Sequence, residues 1–399
     1  MTKLMNAVQM FRETGTLLPI SGGANPKGYN ETADLILKTV DGVDIDTLYN
    51  EIVDSIGILN AQRSPLISRL TFPVTAPYEQ VMPLNSSDFE EADEYGQPVG
   101  IRLGLPWNMG YDLRYYDLAE RFTWRWLGRS TAAQVRALNN TALDADNRLV
   151  ARTILNRIFD NTNTAVTLEA TGTATTAYPF YNGDVTVLPA APPSWKTYSF
   201  TTTHTHYGVS AGATVASADL NTMYEHIYHH GYTQGGTQVF LLVNRAQAAT
   251  IRTFRVATGA LYDFIPAAGS PAATFLGTMV GSFPTASAGA PNVFPGFIGT
   301  WGPIDIIEED YMPSGYMLMF ASGGKFAQTN PVGLREHENA GLRGLKLIPT
   351  FDRYPLRESF YHHALGAGIR HGAAGYVMKV TGGGGYTIPT ITLGGQGGR

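Results

Sequence analysis

The sequence predicts an α+β protein, on three observations. A nine-step alternation of apolar with polar or small residues runs from Val99 to Tyr115, which is the period of a strand. The stretch from Ser130 to Phe159 carries apolar side chains at helical spacing. Between residues 216 and 335 short strand and helix patterns follow one another in a compact α/β arrangement. The 399 residues suffice for two or three subdomains with a substantial core.

The alternating segment is unusually long. Val99, Ile101, Leu103, Leu105, Trp107, Met109, Tyr111, Leu113 and Tyr115 would extend roughly 55 Å at about 3.3 Å per residue, whereas a mean strand has about 5–6 residues. Such a strand is expected to leave its own domain and pack on a neighbour. Upstream, Leu66, Leu70, Phe72, Val74, Ala76, Tyr78, Met82 and Leu84 occupy even positions, and Pro73, Pro77 and Pro83 odd ones. The missing N–H donors would then share one edge, where proline is tolerated. Between the two runs, Asn85 to Pro98 carries Asp88, Glu90, Glu91, Asp93 and Glu94 and no basic residue. Residues 66–115 are therefore expected to form a long two-stranded ribbon with an acidic tip. Two ordinary strands joined by a surface loop are the alternative.

The remaining elements follow in order. Residues 1–45 have little periodicity and suit an extended arm. From Asp46, Leu48, Tyr49, Ile52, Ile56 and Leu59 fall on one helical face, and Ser64-Pro65 ends that helix. In the long helix 130–159, about 45 Å at 1.5 Å per residue, Ser130 is the expected N-cap. Val135, Leu138, Ala142, Ala145 and Leu149 mark its first stripe, and Val150, Ile154 and Ile158 an adjacent one. Strands are expected at 184–188 and 197–203, a helix at 220–228, a buried strand at 239–243, a helix at 245–254, and strands at 303–307, 316–320, 356–363 and 376–380. Gly382 to Gly385 should be a flexible link into the tail 386–399.

Composition narrows the function. Charged residues make up 15% of the chain, against about 25% in average soluble proteins, and hydrophobic residues 44%. Extensive burial between subunits would account for so little surface charge. A net charge of −5 argues against a surface that grips nucleic acid tightly. With no cysteine, disulfides, thiolate catalysis and cysteine-ligated metal are excluded. No signal-peptide core or 18-residue apolar run is present, so neither secretion nor a membrane partner is expected.

Histidine is the one reagent with suggestive spacing. His204 and His206 would face the same way on a strand, and His226, His229 and His230 share a helical face. Two such pairs would bind zinc if they converged, which would suit a zinc-dependent hydrolase using His204/His206 and His226/His230. Surface histidines on a helix are the plainer reading, and His362 and His363 are read as structural. No HExxH, P-loop, GxGxxG or GxSxG motif occurs. No catalytic, cofactor-binding or metal residue is therefore assigned, no cofactor is expected, and an enzyme is not expected. Glu308, Glu309 and Asp310 are read as solvated.

Two basic sets stand out. Arg121, Arg125 and Arg129 are four residues apart, as are Arg148 and Arg152, and could form a basic, lumen-facing line along the long helix and its approach. An ordinary solvated helix face is the alternative. Arg343, Lys346, Arg353 and Arg357 form a second group, where the acidic tip of another subunit could land. Exposed pairs contribute only about 0–1 kcal/mol each, yet they set register.

The order of elements resembles the major capsid proteins of tailed bacteriophages, with the Hong Kong 97-type shell fold. VFLLVNRAQAATI, IDIIEEDYMPSGYMLMF and YPLRESFYHHALGAGIRHGAAGYVMKV carry the local similarity. The resemblance implies 1–65 as N-terminal arm and helix, 66–115 as the extended loop, and 116–215 as spine helix and first part of the peripheral domain. It further implies 216–335 as the axial domain, 336–381 as the peripheral return and 382–399 as the tail. It implies self-assembly into hexamers and pentamers of an icosahedral shell around double-stranded DNA, in the host bacterial cytoplasm. A portal protein, separate scaffolding and decoration proteins and weakly held DNA are the implied partners. Two departures matter. The ribbon starts by residue 66, which leaves no room for the scaffolding domain that some members carry before the arm. Residues 61–128 contain no lysine, so the loop-lysine isopeptide cross-link of some members cannot be carried over. A cellular encapsulating shell of the same fold and a β-rich tail or adhesin module are the competing readings.

Overall fold

The computed structural model describes residues 38–61, 64–81, 106–168, 172–267, 296–350 and 356–391, with single residues between 89 and 100. The chain forms two compact units. Among the described residues the smaller comprises 38–53, 119–139, 348–350 and 356–360, and the larger the remainder.

In the smaller unit, helix α1 (Ile45–Ala61) begins, and its apolar face supplies Ile45 and Leu48 to a small core. Phe122, Leu127, Ala132 and Val135 complete that core, and Phe122 stacks on Trp126 with ring centroids 5.0 Å apart.

Helix α2 (Pro65–Leu70) follows α1, then strands β1 (Thr71–Val74), β2 (Tyr78–Val81), β3 (Trp107–Gly110) and β4 (Arg114–Thr123). The expected ribbon is corrected here. Leu66 and Leu70 lie on a helix, started by proline in its first turn, where the missing N–H costs nothing. The antiparallel pairing covers Tyr78–Val81 against Trp107–Gly110, in register Tyr78↔Gly110; most of 82–105, including the outer ribbon, lies outside the described residues. Nor do 107–115 form one strand. Tyr111 is fully buried, its ring lying where the Cβ atoms of the paired Gly333 and Gly368 would be. Arg335 donates to the Tyr111 carbonyl at 2.7 Å. Seating this ring bends the chain, so β3 and β4 enter different sheets.

Helix α3 (Trp124–Leu127) is a single turn capped by Thr123, whose hydroxyl accepts from the Trp126 N–H at 3.2 Å. Helix α4 (Ala132–Phe159) is the expected long helix. Its N-terminus is held by Asp41 rather than Ser130: the Asp41 carboxylate accepts from the Ala132 N–H at 3.1 and 3.2 Å. Its buried stripe includes Val135, Asn139, Ala142, Asp146, Val150, Ile154 and Ile158, widened near the C-terminal end by Ala151, Leu155, Arg157 and Phe159, while Leu138 is exposed.

Strands β5 (Thr164–Thr167) and β6 (Ala174–Ala177) make an antiparallel pair. Neither 184–188 nor 197–203 is a strand; the first is turn, and the second holds an isolated bridge from Trp195 to Tyr198. Next come β7 (Tyr207–Val209), α5 (Ser217–Tyr228), β8 (Gln238–Val243), α6 (Arg245–Ile251), β9 (Phe264–Pro266), β10 (Phe297–Trp301), β11 (Ile304–Glu308) and β12 (Tyr316–Ser322). The chain ends through β13 (Val332–Glu336), β14 (Lys346–Pro349), β15 (Leu356–Ile369) and β16 (Gly375–Lys379).

The largest sheet has the order β7-β16-β12-β8-β11-β10-β9. It alternates along each strand: Val239, Leu241 and Val243 join Leu220, Met223 and Ile227 of α5 and Ala248 and Ile251 of α6. Phe240 and Leu242 point the other way, against Val150, Ile154 and Ile158 of α4. Helices on both faces explain why VFLLV is an unbroken apolar run. The last strand, expected with the peripheral segment, pairs in this sheet between β12 and β7. A five-stranded sheet runs β1-β13-β15-β14 with β4 on β15, and a four-stranded one β2-β3-β6-β5. Just after Gly385 the described start of the tail is held: Tyr386 donates to the Phe159 carbonyl at 2.7 Å, and Tyr316 to the Thr387 carbonyl at 2.8 Å; 392–399 lie outside the described residues.

Candidate functional site

The charged sets fall in different places. Glu91 and Glu94 of the acidic tip are exposed, and Asp88, Glu90 and Asp93 lie outside the described residues. Arg343 donates to the His337 and Glu338 carbonyls at 3.0 and 2.9 Å. Arg357 pairs with Asp46 at 2.9 Å in the smaller unit, Lys346 is half-buried, and Arg353 lies outside the described residues. Arg343 and Arg357 thus have partners within the chain.

The other basic set is not one line. Arg121 is on strand β4, Arg125 in the single turn α3 and Arg129 just after it, so their spacing shares no helix face. Arg121 pairs with Glu358 at 3.1 Å, and Arg125 lies 5.5 Å from the Trp124 ring centre. Arg148, half-buried, and Arg152, exposed, are on α4. The carboxylates at 308–310 are not all solvated: Glu308 pairs with Arg252 at 2.7 Å, and burial pushes the Glu309 carboxyl up.

The histidines do converge, in the larger unit. His206 is fully buried, its N–H donating to the Tyr181 carbonyl at 2.6 Å while its carbonyl accepts from Val377 at 2.9 Å. This pins it at the edge of the large sheet, just before β7. His226 lies in the last turn of α5, His229 caps it and His230 follows. Gly231 then turns the chain with φ 81°, and the Trp195 ring occupies the space a Cβ would need. The Nε2 atoms of His204, His206 and His230 form a near-equilateral triangle, with sides of 3.2 Å (204–206), 3.1 Å (206–230) and 3.0 Å (230–204). Among the described residues this is the group of three or more histidines and carboxylates close enough to share an ion.

All the ring pKa values here are depressed, chiefly by burial and then, save for His226, by the neighbouring imidazoles. His204 and His229 are lowered to about 4, His230 to about 3 and His206 well below its usual value. Burial lowers His226 as well. The cluster is therefore neutral near pH 7. The plain reading of these residues as surface histidines fails for His206 and His230, which are buried. His363 is also buried, hydrogen-bonded to Asp146, and His362 meets Asp117 at 2.6 Å.

No family model and no curated protein matches the chain. A solved structure from Mycobacterium phage Patience is 37% identical, with 94% of this chain and 99% of that one covered and a TM-score of 0.66. The chain belongs to the family of tailed-bacteriophage major capsid proteins. Weaker likenesses include the holo-SrpI encapsulin complex of Synechococcus elongatus PCC 7942, at 13% identity, 82% and 95% coverage and a TM-score of 0.45. Another is the capsid of an empty GTA particle, at 14% identity, 80% and 90% coverage and a TM-score of 0.44.

As a capsid protein with the Hong Kong 97-type fold, the chain has a structural role, self-assembles into a shell and resides in the virion. The cellular encapsulating shell is the less supported reading. No helix among the described residues is long and apolar enough to cross a membrane. The sequence signal of the histidine triangle was the H-x-H pair and the H-x2-H-H run, whose convergence depends on a sheet edge and a helix end meeting.

Proposed function

We propose that this capsid protein assembles as hexamers and pentamers of a closed icosahedral shell around double-stranded DNA, in the host bacterial cytoplasm. The segment joining β2 to β3 acts as the extended loop over a neighbour, 130–159 as the spine helix, 116–215 with 336–374 as the peripheral domain, and 216–335 with strand β16 as the axial domain. The supporting observation is apolar surface on long elements. Val53 and Ile58 on α1 are 42% and 62% exposed, Leu118 on β4 46% and Leu138 on α4 44%, in a chain with 15% charged residues. Repeated modest contacts of this kind close symmetric shells.

The portal protein and separate scaffolding and decoration proteins are the remaining partners. Net charge of −5 keeps the inner wall from trapping packaged DNA, with Arg148 and Arg152 offering a weak local attraction. Negative-stain electron microscopy tests the assembly, with the protein expressed alone and then with its neighbouring genes. Closed shells or hexameric sheets are expected; monomers under both conditions would overturn the proposal.

A further inference from the structure

We propose that His204, His206 and His230 bind one zinc ion through their Nε2 atoms, clamping the segment before β7 to the end of α5. Three observations carry this. The first is distance. Around a tetrahedral zinc with Zn–N bonds of about 2.0–2.1 Å, ligand nitrogens lie roughly 3.3–3.4 Å apart. The three sides measure 3.0 to 3.2 Å, so a small outward relaxation admits the ion.

The second is proton bookkeeping. His206 Nδ1 lies 2.7 Å from the Gly375 carbonyl, which only accepts, so Nδ1 carries the proton and Nε2 of the neutral ring presents a lone pair. If His204 and His230 both donate to it, their own 3.0 Å contact sets two N–H groups against each other. If either does not, that ring and His206 face lone pair to lone pair. No set of neutral tautomers satisfies all three contacts, whereas one cation accepts all three lone pairs. The Gly375 carbonyl is then the outer partner that fixes ring orientation in metal-bound histidines.

The third is the surroundings. Phe200 stacks on His230 at 4.0 Å between ring centres, and His226 stacks on His204 at 5.3 Å. His226 Nδ1 donates to the Thr222 carbonyl at 2.8 Å, and His226 is not among the three rings whose nitrogens converge, so a water would take the fourth position. The nearby His229 Nε2 is buried without a hydrogen-bond partner. A cavity of about 400 Å³, lined by Tyr181, Trp195, Tyr232 and His371, reaches His230 and gives a path in. Imidazole ligands without thiolate or carboxylate suit zinc and its late first-row neighbours.

The test uses full-length protein without a histidine tag, stripped with chelator and titrated with Co²⁺ as a visible-absorption probe, then with Zn²⁺. One Co²⁺ per chain with the intense bands of four-coordinate cobalt is expected, displaced by equimolar Zn²⁺, together with a higher melting temperature in zinc. His204→Gln and His230→Gln, at partly accessible positions, should each weaken uptake more than tenfold, and His337→Gln, outside the cluster, should not. X-ray absorption of the zinc-loaded wild type should count at least three imidazoles, which decides the matter without any variant. No stoichiometric uptake, uptake unchanged in both cluster variants, or two or fewer imidazoles would overturn the proposal. None of these results depends on whether the protein forms shells.

Discussion

His363 on β15 and Asp146 on α4 are hydrogen-bonded to each other in the interior, with side chains only 5% and 3% exposed. The pair ties the long helix to the strand beneath it at a point where both elements present a polar group inward. Removing one partner leaves the other desolvated, which costs about 1–3 kcal/mol. Asp146→Ala should therefore lower the denaturant midpoint of the unassembled subunit by that amount. The Asp146→Leu/His363→Leu double variant should lose less than the sum of the single ones. An unchanged midpoint in Asp146→Ala would show that the pair does not stabilise the fold.

The same pair shows where the sequence stopped being readable. Apolar spacing along α4 points Leu138 and Ala145 inward. The buried positions are instead the polar Asn139 and Asp146, and the partner of Asp146, His363, lies 217 residues away in sequence. Tyr111 is parallel: the alternation through 107–115 is real, but the ring's seat over Gly333 and Gly368 lies more than 200 residues away in sequence and bends the strand. By contrast, VFLLV, the α1 face and the 316–320 strand were legible because burial on one or both faces dictates their pattern locally. The histidine triangle needed tertiary geometry, since spacing alone left its two halves unconnected.

Asn60 replaces a backbone partner for Leu345. Its side-chain amide donates to the Leu345 carbonyl at 2.9 Å and accepts from the Leu345 N–H at 3.0 Å. Asn60→Ala should cost about 1–3 kcal/mol, and hydrogen exchange at the Leu345 amide should accelerate. Protection unchanged at that amide would contradict the assignment.

Asp41 makes the stability of α4 depend on pH. The Thr39 hydroxyl, first, and then the Ala132 N–H hold its carboxyl below the usual value of 3.8. Because the folded-state pKa is the lower one, the contribution is complete above 3.8 and fades as pH falls through the folded value. Asp41→Ala should melt earlier than wild type at pH 7, and the gap should close in strong acid. A gap independent of pH would mean that the carboxylate charge is not what caps the helix.

Ile58 separates folding from assembly. It is 62% exposed on α1, so Ile58→Glu, which keeps a good helix former, should change subunit stability by no more than about 0.5 kcal/mol. If α1 is covered by a neighbouring subunit, the buried carboxylate should nevertheless sharply reduce shell yield in sedimentation. Normal yield would remove this face from the proposed contact.

The acidic tip provides the electrostatic counterpart. Asp88, Glu90, Glu91, Asp93 and Glu94 sit within seven residues with no basic neighbour among them, and Glu91 and Glu94 are exposed. Arg343 and Arg357 already have partners within the chain, so a landing tip would have to compete for them or extend those contacts, gaining little per pair. The gain arises from repetition and from register, since a misplaced tip would meet no positive charge. Replacing all five acids with Ser or Asn should leave the melting temperature of the isolated subunit unchanged. Shells should then dissociate at lower denaturant, and the difference from wild type should shrink in high salt, where surface charge is screened. Equal shell stability at low salt would assign the tip to solubility instead of contact.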